Sequence, residues 1–65
     1  MTRAQEDAVW YVRHRAAQMG ARVEVADTED GVRVTRTSEG ITAHFKVEAD
    51  GLVRSLSVDI PKKEG

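Results

Sequence analysis

The chain has 65 residues, with one Trp, one Tyr, one Phe, no Cys and a formal net charge of −1. A chain this short forms one domain at most and buries only about 60% of the surface its unfolded form exposes, so marginal stability is expected. The lack of cysteine excludes disulfide staples, thiolate metal sites and dithiol redox chemistry, and ten Lys and Arg against eleven Asp and Glu exclude a global basic excess for non-specific nucleic-acid binding.

The first predicted element is a helix over about residues 2–19. Thr2-Arg3-Ala4-Gln5 has the form of a capping box, in which a hydroxyl and an amide satisfy orphan backbone donors. Glu6 and Asp7 lie early and Arg13, His14 and Arg15 late, complementing the helix dipole, and Gly20 supplies the stop. At about 100° per residue, Ala4, Ala8, Val12, Ala16 and Met19 form one stripe that is expected to face the core, with Val9 and Tyr11 on its flanks and Gln5 on the same side.

Past Gly20 the apolar period changes from helical to two. Strands are predicted over about 21–27, 31–37, 41–49 and 52–60, with a tail at 61–65 that Pro61 begins. Asp50-Gly51 has the composition of a two-residue type I′ hairpin turn. That turn would set Val47 against Arg54, Phe45 against Leu56 and Ala43 against Val58. Four-residue loops at 28–31 and 37–40 would set Val25 against Val34 and Val34 against Ala43. The inner face then holds Val23, Val25, Val32, Val34, Ile41, Ala43, Phe45, Val47, Leu56, Val58 and Ile60. By the same parity Arg36 and Arg54 point toward the core layer near the ends of the sheet, where snorkelling past the helix ends, or a register shift or bulge near Thr37, would accommodate them. The fold class is two-layer α+β over a single domain, residues 1–65: one N-terminal helix on a four-stranded antiparallel meander, αββββ. In layout alone this resembles the cystatin-like arrangement without its first strand; none of that family's binding segments is present, so the likeness implies no function.

Chemistry-bearing residues are sparse. His44, Ser57 and Asp59 share the outer sheet face, but a flat, wet surface without an oxyanion hole favours solvated polar residues over a triad, and no catalytic residue is assigned. No metal or cofactor is expected. His14 and His44 fall on opposite layers, and Asp27, Glu29 and Asp30 lack the spacing of a calcium loop. Glycines 20, 31, 40 and 51 punctuate turns and form no phosphate-binding cluster.

Two surfaces carry the functional expectations. Trp10 lies about 160° around the helix from Val12, so it is expected in water, and Trp10, Arg13, His14 and Ala17 form a candidate protein interface. Arg22, Arg33, His44 and Lys46 form a candidate nucleic-acid face on the outer sheet surface. That reading is disfavoured by the absence of exposed strand aromatics and by the interspersed carboxylates. The leading expectation is a small non-enzymatic protein-binding module, of the inhibitor or regulator type, acting through the helix face around Trp10 on a protein partner or a second copy. Seven Arg to three Lys fits a high-GC source such as a bacterium or its phage. The first alternative is a designed scaffold without a biological partner, suggested by how well capping box, helix stop, turns and binary pattern agree. The second is weak nucleic-acid binding through the outer face. No apolar run nears the ~20 residues of a membrane span, and Met1 to Asp7 lacks a signal-peptide core, so no membrane partner and a cytoplasmic location are expected.

Overall fold

The computed structural model describes residues 1–61; the predicted tail beyond Pro61 lies outside them. Helix α1 spans Arg3–Met19, and four strands follow: β1 (Arg22–Thr28), β2 (Gly31–Ser38), β3 (Ile41–Val47) and β4 (Val53–Asp59). The strands form one antiparallel sheet in the order β1-β2-β3-β4, so the αββββ meander and the two-layer α+β class hold.

The helix begins and ends as its sequence dictates. Thr2 Oγ1 accepts from the Gln5 backbone N–H at 3.1 Å, and Gln5 Oε1 accepts from the Thr2 N–H at 2.7 Å, which closes the capping box. At the other end Gly20 takes φ 71°, and the Gly20 and Ala21 N–H groups donate to Ala17 O and Ala16 O, the paired bonds of a Schellman motif. The buried stripe is centred on Gln5, Val9 and Ala16, with Ala8 and Val12 half-buried. Met19, expected inside, is exposed at the end of the helix, past the buried Ala16.

Two turns exchange the types expected of them. The type I′ geometry, which needs positive φ at both central residues, occurs at Glu39 (φ 53°) and Gly40 (φ 80°). It closes a two-residue loop with Ser38 opposite Ile41, which sets Val34 against Phe45 instead of Ala43. Asp50-Gly51 instead belongs to a three-residue loop, Ala49-Asp50-Gly51. There Gly51 N–H donates to Glu48 O at 2.8 Å, only Gly51 has positive φ, and Asp50 Oδ1 accepts from the Leu52 N–H.

That extra loop residue shifts one end of the last hairpin. Thr42, Ala43 and His44 lie opposite Asp59, Val58 and Ser57 as expected. After a β-bulge, Phe45 lies opposite Ser55, Lys46 opposite Arg54 and Val47 opposite Val53. Arg54 therefore stands beside Lys46 on the outer face rather than toward the core, and Val53 joins the inner face. Arg36 does point inward, with its guanidinium 5.4 Å from the centre of the Phe45 ring.

The core is small and built of β-branched side chains. Val9, Val32, Val34 and Val47 form its buried centre, surrounded by Ala8, Val12, Val23, Val25 and Phe45. The helix packs on β1, β2 and β3, whereas every residue of β4 is exposed. One helix, about 10 Å across, is narrower than four strands at ~4.8 Å spacing, and β4 is the strand left open.

Candidate functional site

Cross-strand pairing sorts the outer face into rows. Ala26, Arg33, Lys46 and Arg54 form one row, Glu24, Thr35, His44 and Ser57 the next, and Arg22, Thr37, Thr42 and Asp59 the third. Of the candidate nucleic-acid residues, Arg33 and Lys46 are direct partners, His44 sits one row away, and Arg22 lies at the far end, about 13 Å along the strand from the basic row. The bulge adds Arg54, which sequence parity had assigned inward. Glu48 then draws down this charge, lying 3.1 Å from Arg54 Nε and 3.6 Å from Lys46 Nζ. What remains is a short basic row with a built-in carboxylate, not a continuous positive track.

His44 and Asp59 meet on the same face, with Nε2 3.0 Å from Oδ2, and Ser57 is His44's cross-strand partner. The residue types of a triad are thus neighbours. They lie on an open sheet surface where water reaches His44 and Asp59, so the arrangement serves as a surface hydrogen bond.

On the helix, Trp10, Arg13, His14 and Ala17 are all exposed and share one face. Trp10, 64% exposed, stacks on His14 with ring centroids 5.0 Å apart and planes within 6°. One face of the indole is therefore occupied within the helix itself, leaving the other for a partner.

A second exposed apolar surface lies on β4. Val53 and Val58 lie opposite the buried Val47 and Ala43, so both belong to the inner face, yet they are 40% and 53% exposed. Leu56 in the bulge and Ile60 just past the strand are 44% and 71% exposed. Between this strip and the helix runs a shallow cleft of about 210 Å³ lined by Tyr11, Val12, Arg15, Arg36, Phe45 and Val53. Four aliphatic side chains in the eight positions 53–60, open to water beside the face that elsewhere forms the core, make a patch rather than scattered exposure. Sequence alternation placed Leu56, Val58 and Ile60 on the inner face but could not show them bare. The available signal was the count of one helix against four strands.

The termini of the two layers are tied together at the helix start. Thr2 Oγ1 donates to Ala49 O at 2.7 Å and Gln5 Nε2 donates to Val47 O at 3.2 Å, so the capping box also holds the β3–β4 hairpin. Gly51 fits there because a Cβ would come within 3.0 Å of Ala4 O. This anchoring fixes the hairpin that presents β4.

Among the described residues no three His, Asp or Glu side chains converge as metal ligands, and no helix is long and apolar enough to cross a membrane. No protein-family model, no curated protein and no solved structure matches the chain.

Proposed function

We propose that this protein is a small non-enzymatic protein-binding module whose docking surface is the uncovered inner face of β4. The observation that carries the reading is the strip of Val53, Leu56, Val58 and Ile60, left open beside a core that needs the same residue types buried. Solvated aliphatic strips on an edge strand are an association liability unless a partner covers them. The absence of cysteine suits a reducing compartment, and the cytoplasm is the proposed setting.

The Trp10 face is the second reading, supported by a large exposed ring beside His14 and the small Ala17. Its indole is already stacked on one side. A designed scaffold fits less well, because an idealised backbone avoids a glutamate at positive φ and four open aliphatics on one strand.

A photo-crosslinking amino acid placed in turn at Ile60, Trp10 and Arg33 in expressing cells tests these readings. Discrete protein adducts from position 60 are expected. Adducts from position 10 alone would transfer the function to the helix face, and adducts from neither would refute protein binding through either surface.

A further inference from the structure

We infer that the cleft between α1 and β4 is a binding site for a small amphipathic carboxylate, an aromatic or short aliphatic organic acid whose apolar body lies on Phe45 and whose anion meets Arg15 and Arg36. The site goes beyond the docking reading of β4 and shares only Val53 with that strip.

The first support is the lining. Tyr11, Val12, Phe45 and Val53 supply apolar walls, Arg15 and Arg36 supply charge, and no Asp or Glu is among the lining residues. Tyr11 and Arg15 lie one turn apart on the same helix face, so a ring and a cation border the cleft together. An apolar hollow that carries positive charge alone is complementary to a ligand with an apolar body and one anionic end. Its volume, about 210 Å³, falls below the roughly 300–1,000 Å³ of pockets that enclose drug-sized molecules, which limits that body to a single ring or a short chain.

The second support is the state of the two guanidiniums. Arg36 occupies an inner-face position whose cross-strand partners are Val23 and Ala43, where burial favours an aliphatic residue. Its guanidinium lies over the Phe45 ring, 5.4 Å from the centre. The carboxylates that form pairs are committed elsewhere: Glu48 to Arg54 and Lys46, Asp59 to His44, and Asp27 to the N-terminal ammonium. Among the described residues neither Arg15 nor Arg36 has a carboxylate partner. Two permanent cations in one cleft repel each other, and a bound carboxylate, which accepts parallel N–H bonds from a guanidinium, turns that repulsion into attraction.

The third support separates a free acid from a peptide. Arg36 and Phe45 belong to β2 and β3, the interior strands, whose backbones are paired with a neighbour on each side, so the floor of the cleft recognises through side chains. Peptide capture at a sheet draws on main-chain hydrogen bonds, whereas this floor supplies a ring and a cation.

An amide NMR titration of the protein with hydrocinnamate at about pH 7, taken to about 20 mM, tests the inference, since so small an acid dissociates in the millimolar range. Saturating shifts of the Arg15, Arg36, Phe45 and Val53 amides are expected. Hydrocinnamyl alcohol and acetate, each lacking one half of the ligand, are expected to bind at least about tenfold more weakly. Arg15→Gln and Arg36→Gln are each expected to raise the dissociation constant at least about fivefold, while Arg33→Gln on the outer face leaves it unchanged. Arg15 is exposed on the helix, so Arg15→Gln keeps the test decisive if Arg36→Gln does not fold. Absence of saturation, equal binding of the alcohol or of acetate, indifference to Arg15→Gln, or loss with Arg33→Gln overturns the inference. Tighter binding of a tripeptide ending in phenylalanine than of the free acid overturns it as well, by making the cleft a peptide site.

Discussion

Replacing Gln5 by Ala should cost this protein a large part of its stability, although Gln5 touches no proposed binding surface. Gln5 is 6% exposed and its amide bridges two elements, accepting from the Thr2 N–H at 2.7 Å and donating to Val47 O at 3.2 Å. Truncation removes half of a capping box, worth about 0.5–2 kcal/mol, and a buried hydrogen bond whose loss costs about 1–3 kcal/mol. Because Val47 is fully buried, water is poorly placed to replace the lost donor. The sum, about 1.5–5 kcal/mol, compares with a total of roughly 3–10 kcal/mol for a domain of this length. Urea unfolding followed by circular dichroism should show the midpoint falling by about 1.5 M or more at an m-value near 1 kcal/mol/M, with the slope unchanged. Gln5→Glu keeps the acceptor for Thr2 but sets a carboxylate against Val47 O. Its pKa should therefore be raised in the folded state, so its stability relative to wild type is best below about pH 4 and declines as pH rises. A loss below about 0.5 kcal/mol for Gln5→Ala would refute the claim that this amide fastens the helix to the β3–β4 hairpin.

Glu39→Asn should stabilise by about 0.5–1 kcal/mol, because φ 53° in a type I′ turn suits Asn better than Glu; thermal melts read the gain. Gly51→Ala should destabilise more than Gly20→Ala. Both have positive φ, but a Cβ at Gly51 meets Ala4 O at 3.0 Å whereas at Gly20 nothing lies within 4 Å, so chemical denaturation of the two variants should separate steric from backbone cost. Trp10→Ala should change stability by no more than about 0.5 kcal/mol. Acrylamide should quench Trp10 fluorescence freely at every protein concentration, since the ring is exposed on the helix; protection on concentration would place Trp10 in a contact between copies.

Much of the fold was legible because local and longer-range signals agreed. Thr2 and Gln5 announced the helix start, Gly20 its end, and the alternation from Arg22 onward the four strands. Registers were less legible, since a turn's type depends on which residues accept positive φ. Glutamate is an uncommon choice, so Glu39-Gly40 did not signal a type I′ turn, while Asp50-Gly51 signalled one and formed a longer loop. The bulge that follows could not be read from parity, yet the inward Arg54 that parity produced was a physical inconsistency pointing to it. At the candidate surfaces, Trp10's exposure followed from helix geometry, but its stacking on His14 depends on rotamers, and the bareness of β4 depends on which strands one helix can cover.

The bulge and the bare face are physically connected. With the unshifted register Arg54 would stand on the inner side and Val53 outside, placing a guanidinium at the entrance of the open strip. The inserted residue moves that charge to Glu48, 3.1 Å away on the outer face, and leaves aliphatic side chains in its place. This raises the cost of leaving β4 in water and the gain from covering it. Full burial of a Val, Leu or Ile contributes roughly 1.5–3 kcal/mol, and the four side chains are about half open. Roughly 1 kcal/mol therefore remains available at each, or about 4 kcal/mol for the four. Association costs at least about 4 kcal/mol, so a partner covering this strip must also gain from its own apolar surface and from the adjoining cleft lined by Tyr11, Phe45 and Val53.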